Sequence, residues 1–364
     1  MFKKPQSIKF TVLSLILVLF VIQGAFAQSD ISSWQNLKLG PYPVGFKTIE
    51  KYDYSRTFRS KHDYFGNPVE GERARPIQIG IWYPAKEMKN PEVMVYGEYA
   101  FAYPEDESFI NVLTNMQERE NRFLFSINEN NPGPVLDLMS INVNAVKDAP
   151  EQEGTFPLII YCPSLRGNIS ENAQLCEFIA SNGFVVATSH SMGATGLNPE
   201  INQTDLEALV RDKEFVIANM HSQPNVNINK IGVIGFAAGG MTALIMQMRN
   251  TDIDAVVSIN GTFINSNYKD ILTNNHFYQA DRIQSPQLIV YTSEITTLDF
   301  SLVDAFKYSD RYLLELSSLQ HSIFSHHGIT PISSQQAETD YYEIPLNFVN
   351  NFLKAELDSD NNSM

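Results

Sequence analysis

Basic residues are scarce in this chain of 364: 26 lysines and arginines stand against 41 aspartates and glutamates, a formal net charge of −15. Nucleic acid and anionic membrane surfaces need clustered cations, so a chain this acidic excludes both as partners. Cysteine is scarcer still. Cys162 and Cys176 make no cysteine metal site; in an oxidising compartment they can form one disulfide, and equally each can be a small buried residue. The 7 histidines show neither H-x-x-x-H nor H-E-x-x-H spacing, and adjacent His326 and His327 do not share a face, so no metal is expected. Long apolar runs are missing too. The one near the start, Phe10–Ile22, is 13 residues, short of the roughly 18–20 that span a bilayer.

That short run has a different meaning. Lys3, Lys4 and Lys9 surround its start and Ala25-Phe26-Ala27 follows it, the pattern of a secretory signal peptide cleaved after Ala27. Gln28 follows, so no lipidated cysteine heads the product. The expected product is periplasmic or extracellular, has no integral membrane segment, and carries a net charge of −18 once the three lysines leave. Residues 28–357 are expected to form a single domain, with an acidic disordered tail at 358–364.

The most consequential absence is a hydroxyl. Residues 230–248, KIGVIGFAAGGMTALIMQM, read as a strand, a glycine-hinged bend and a helix. A nucleophile elbow is written G-x-S-x-G, and here it is Gly235-Phe236-Ala237-Ala238-Gly239. The glycines suit a strained bend in which a nearby Cβ would meet backbone. The central serine is replaced by Ala237. A dinucleotide fingerprint would need glycine at 237, and a P-loop would need Lys-Ser/Thr after Gly240, where Met241 stands, so no cofactor is expected.

Around this bend the chain alternates. Strand-like runs fall at Tyr42–Tyr54 and Ile77–Tyr83, then at 157–162, 184–188, 230–235, 255–259, 287–291 and 311–316. Ser170 suggests a helix cap, with Gly183 closing that helix; Thr204-Asp205-Leu206-Glu207 reads as a capping box; a last helix runs from Pro345 to about Leu357. Residues 85–154 lose the strand pattern and form a cap-like, partly helical insertion with a helix expected near 107–127. Wholly apolar strands alternating with helices imply an α/β fold, a mostly parallel twisted sheet with helices on both faces.

The order of these elements, with CPSLRG (162–167), SNGFVVATSH (181–190), IGVIGFAAGG (231–240), VVSING (256–261) and LQHSIF (319–324), resembles the α/β-hydrolase superfamily. The branch it is most similar to is that of platelet-activating-factor acetylhydrolase-like and dienelactone-hydrolase-like esterases. The resemblance implies an oxyanion hole from the backbone N–H groups of Leu165 and Ala238, with Ala237 at the nucleophile position and His321 as general base. The acid position falls on Asn260, 23 residues past Ala237. Asn260-Gly261 also reads as an ordinary turn pair, and Asn260-Gly261-Thr262 as a glycosylation sequon. Acids placed one strand later point to Glu294, or to Asp299.

A methyl group cannot attack a carbonyl. Loss of a serine nucleophile costs about 10⁶ in rate, or about 8 kcal/mol of barrier. One further serine fits an elbow in part: Ser189-His190-Ser191-Met192-Gly193 is close to G-H-S-M-G. It lacks the first glycine, follows a strand one βα unit early and leads into loop residues, so Ser191 stands as the alternative nucleophile. Three expectations result. The first is an exported, catalytically inactive hydrolase-fold protein with a pocket for an ester, acyl or lipid-like ligand under the insertion. The second is an active carboxylic-ester hydrolase using Ser191, or a water activated by His321 and Glu294. The third is an exported scaffold whose protein partners the sequence does not name.

Overall fold

The structure is a computed structural model that describes residues 34, 37–58, 67–68, 73–102, 138–293, 297–317, 321–324 and 339–358. All of these belong to one compact unit, Ser33–Met364. The expected signal peptide, the helix near 107–127, Glu294 and the acidic tail beyond Asp358 lie outside the described residues.

Nine strands form one sheet in the order β3-β1-β2-β5-β4-β6-β7-β8-β9. β1 (Val44–Phe58) and β2 (Arg73–Pro84) are an antiparallel pair, and β2 also runs antiparallel to β5 (Val185–Ser189). From β5 onward everything is parallel: β4 (Phe156–Cys162), β6 (Val226–Phe236), β7 (Ile253–Ile259), β8 (Gln287–Tyr291) and β9 (Arg311–Glu315). The central strands are short continuous apolar runs because both of their faces are covered. Ile231 and Val233 on β6 join a core with Leu206 and Val210 of α3 (Gln203–Met220) and with Leu244 and Ile245 of α4 (Gly239–Arg249). A Cβ on the intervening Gly232 would instead meet Ile159 and the Leu353 and Leu357 side chains of α7 (Thr339–Leu357). Side chains alternate along a strand, so α3 and α4 cover one face and α7 the other; the short helices α5 (Lys269–Thr273) and α6 (Ser301–Asp304) follow β7 and β8. The mixed, mostly parallel sheet is the architecture the sequence implies.

Three local expectations shift. α2 (Ala173–Ser181) starts after Asn172, with Ser170 bonded instead to Asn168 Oδ1 at 2.7 Å. It ends where expected, before Gly183 at φ +98°. α3 begins one residue before the expected capping box, because the cap is Asn202, whose side chain accepts from the Asp205 N–H at 2.9 Å. The 85–154 region is not free of strand: β3 (Ala145–Lys147) pairs parallel to β1. The described ends of that region are tied down by one carboxylate. Glu177 of α2, fully buried, accepts from Trp34 Nε1 (2.8 Å), the Tyr99 hydroxyl (2.7 Å) and Asn144 Nδ2 (3.0 Å). Tyr99 lies in the short helix α1 (Tyr96–Ala100). Among the described residues no helix is long and apolar enough to cross a membrane.

Candidate active site

The site is built where β4, β6, β7 and β8 end. β6 runs into Phe236, the chain reverses at Ala237, and α4 starts immediately after Ala238. Ala237 has φ +50°, the left-handed region, which costs a residue with a Cβ about 1–2 kcal/mol. The turn is held by three bonds. The Ala237 N–H donates to Ile259 O (3.0 Å), and its carbonyl accepts from Gly240 N (3.0 Å) and Thr262 N (2.9 Å). The flanking glycines are steric requirements. A Cβ on Gly235 would lie 2.3 Å from Gly239 O, and one on Gly239 would lie 2.0 Å from Cys162 O. The backbone of a nucleophile elbow is therefore complete, and a partly exposed methyl group sits at its apex.

Beside it stands the loop leaving β4. The amides of Leu165 and Ala238 have no hydrogen-bond acceptor among the described residues, and Ala238 lies at the positive end of the α4 dipole. The adjacent amide is not free in this way: Ser164 N–H donates to Glu171 Oε2 at 2.9 Å. The buried Glu171 carboxylate also takes the Ser164 hydroxyl and, at 2.8 Å, the Tyr161 hydroxyl. Glu171 thus fixes the loop that presents Leu165. Sequence reasoning missed it, since an acid seven residues beyond Ser164 carries no local pattern.

Asn260 follows β7 at φ +45° and is buried. Its N–H donates to Val290 O (2.8 Å), while Oδ1 accepts from Thr292 N (2.8 Å) and Nδ2 donates to the Thr292 hydroxyl (3.2 Å). The side chain clasps the ends of β7 and β8. It is 2 % exposed with both ends of its carboxamide bonded, so this fold leaves no room for a glycan on it. Asp299 is committed elsewhere. It pairs with Lys269 and accepts from Ser301 N at 2.9 Å, and these donors hold its carboxyl well below the usual carboxylate range.

His321 opens a short turn, His321–Phe324. Its ring is exposed and stacks on Phe236, the residue before the apex, with centroids 4.9 Å apart and planes at 23°. Phe324 is buried and lines a small cavity with Leu175, Ile259 and Val349, anchoring that turn against the end of β7. Ala237, Asn260 and His321 are thereby gathered at one edge of the sheet, with Leu165 reaching it from β4.

Ser191 stands in a different setting. It is 1 % exposed and has no left-handed φ, and the residues after it are not helical. Its N–H donates to Gly167 O at 2.9 Å. The whole segment is held from beneath. Lys213 Nζ reaches Ser189 O (2.6 Å) and Oγ (2.8 Å), His190 Nε2 bonds Gln78 Oε1 (3.0 Å), and Arg75 donates to Met192 O (3.0 Å) and Gly193 O (2.8 Å). Arg75 is itself locked on Asp212 by two 2.6 Å bonds. Burial lowers the Lys213 pKa to about 8. Cys162 and Cys176 are buried free thiols, and burial pushes Cys162 up to about 12, so neither is a nucleophile at neutral pH. Among the described residues no three His, Cys, Asp or Glu converge on a point that could hold a metal ion.

Strand order, crossover helices and the elbow turn together define an α/β-hydrolase fold. The sequence profile of the family described as BAAT / acyl-CoA thioester hydrolase C terminal matches residues 214–319, a stretch that contains the elbow and Asn260 and stops short of His321. Cutinase est1 of Thermobifida alba is 26 % identical over 136 residues, covering 36 % of this chain. The match spans only 44 % of that curated relative's length. A ferulic acid esterase from Streptomyces cinnamoneus superposes with a TM-score of 0.57 at 17 % identity, covering 87 % of this chain and 91 % of its own. At that identity the likeness is one of fold. The esterase-like α/β-hydrolase character of the chain is the common content of these matches.

Proposed function

We propose that this is an exported α/β-hydrolase-fold protein whose esterase centre has lost its chemistry and kept its binding frame. Its ancestry lies with the acetylhydrolase-like and dienelactone-hydrolase-like esterases. The observation that carries the reading is Ala237 at φ +50°, an elbow backbone that keeps its strain with no side chain able to use it. The second support is Asn260, whose carboxamide is spent on Thr292. In a triad the acid accepts from the histidine Nδ1–H, fixes its tautomer and stabilises the imidazolium by its charge; a neutral amide already engaged with Thr292 supplies no such charge. The Leu165 and Ala238 amides remain disposed to receive a carbonyl oxygen, so an ester, acyl or lipid-like ligand is the class the site suits.

Esters of increasing acyl length test this in two readouts. Turnover is expected to equal buffer and to be unchanged in His321→Ala, while a bound ester stabilises the fold by RT ln(1 + [L]/Kd) and so raises the melting temperature with ester concentration. Turnover abolished by His321→Ala would overturn the loss of chemistry. The absence of any thermal shift across the series would overturn the retained binding frame.

A further inference from the structure

The last strand of the sheet is unusually open. β9 lies at the end of the strand order and its five residues, Arg311-Tyr312-Leu313-Leu314-Glu315, are exposed or half-exposed throughout. Tyr312 is 50 % and Leu313 48 % exposed. Natural edge strands are ordinarily blunted by proline, a bulge, an inward charge or a cover. Among the described residues β9 carries no proline, bulge or covering element along its five positions, and its edge charges, Arg311 and Glu315, are of opposite sign.

Its backbone has a definite polarity. The bonds Gln287 N–H to Asp310 O and Leu316 N–H to Tyr291 O, both 2.8 Å, set the phase of the parallel ladder with β8. A parallel ladder engages alternate residues of each strand, so 310, 312, 314 and 316 face β8. Arg311, Leu313 and Glu315 turn their N–H and C=O groups to the open side.

We propose that two copies of this chain pair antiparallel through β9 with Leu313 on the two-fold axis, continuing the sheet across a dimer. The sequence is self-complementary in that register. Leu313 faces Leu313, and Arg311 faces the second copy's Glu315 in both directions. Those are the residues whose outward N–H and C=O groups are available, so the hydrogen-bonded pairs of an antiparallel ladder, about 5.5 Å between Cα atoms, fall on them. Directly opposed residues share a face, which brings each guanidinium to a carboxylate. Arg311 spends one nitrogen on Val303 O at 2.9 Å, and Glu315 is only 3.5 Å from the Tyr291 hydroxyl.

The other face supplies apolar area. Tyr312 falls opposite Leu314, as a close non-hydrogen-bonded pair, and its ring meets Phe352 of α7 at 5.9 Å. Phe352, Phe348 and Ile344 recur every four residues, one stripe of the helix, and Phe348 and Ile344 are 51 % and 46 % exposed. A two-fold axis at Leu313 brings the Tyr312–Phe352 end of this stripe towards its copy, an isologous contact of the commonest kind.

Sedimentation velocity on the purified protein over a concentration series tests this. A reversible dimer is expected. Glu315→Arg, a change at an exposed side chain, places like charges opposite each other and should raise the dissociation constant at least about tenfold. Adding Arg311→Glu to it restores opposite charges and should recover the dimer. Leu313→Pro removes an outward N–H that β8 does not use, and should give a folded monomer. A wild-type protein that stays monomeric at every concentration overturns the proposal. So does a dimer that ignores Glu315→Arg, or one that the paired swap fails to restore.

Discussion

Two loops flank the end of β4, and each carries half of a nucleophile elbow. The loop after β6 has the bend, with φ +50° at Ala237 and glycines that no other residue can replace, but no hydroxyl. The loop after β5 has Ser191 in a persuasive sequence context, but no left-handed residue, no following helix and almost no exposure. The difference teaches that an elbow is a backbone state. A serine in a suggestive pentapeptide does not make one, and an alanine at the apex does not unmake one. The loops also differ in what holds them. The first is fixed by steric fit and main-chain bonds, the second by buried charge.

That contrast can be broken most severely from the charged side. Arg75→Ala leaves Asp212 buried with Arg56 as its remaining cationic partner and strips the donors from Met192 O and Gly193 O. A loss of about 3–5 kcal/mol in denaturant unfolding is expected. Lys213 gives a pH signature of slightly smaller size. The unfolded lysine keeps its proton to about pH 10.4, whereas the folded one, desolvated by burial, loses it at about 8. Between these values the unfolded state binds more protons, so this group makes stability rise with pH. The full effect is about 3 kcal/mol. It is best read between pH 8 and 10 as the difference between the native protein and Lys213→Met, because Cys162 and Cys176, whose pKa values burial raises, act in the opposite sense in that window, and tyrosines such as Tyr99 do so above it. Lys213→Met should remove the rising contribution.

On the steric side, Gly239→Ala drives a Cβ into Cys162 O and should cost up to about 3 kcal/mol. The smallest effect is the most discriminating. Ala237→Gly relieves the left-handed strain and should stabilise by about 1 kcal/mol despite the entropy of glycine. Destabilisation there would mean that the apex is not strained, and the two loops would no longer differ as described.

Much of this was legible in the sequence because its signals are local. Continuous apolar runs marked β4 to β8, Gly183 marked the end of α2, and Gly235 and Gly239 marked a bend with no room for Cβ atoms. His321 and Phe324 stood together in the sequence, and it is Phe324 that anchors the turn that His321 opens. What stayed hidden is long-range pairing. Glu171 on Ser164, Arg75 on Asp212 and Lys213 on Ser189 join residues that no periodicity connects. The cap of α3 moved because the Asn202 side chain takes the role Thr204 was expected to play, and α2 starts past Ser170 because the Ser170 hydroxyl is bonded to Asn168. β3 was missed because three residues are too few to show a period. Asn260 was legible as the residue that ends β7 but its partner was not, since Thr292 reaches it only once β7 and β8 lie side by side.

The most direct measurement is fluorophosphonate labelling of the native protein followed by peptide mapping, with Ala237→Ser/Asn260→Asp treated in parallel. No adduct is expected on the native chain, and an adduct at position 237 is expected in the double variant, where a hydroxyl would stand at the bend beside His321 and the Leu165 and Ala238 amides. An adduct on Ser191 of the native protein, lost in His321→Ala, would contradict it and make the loop after β5 the working elbow.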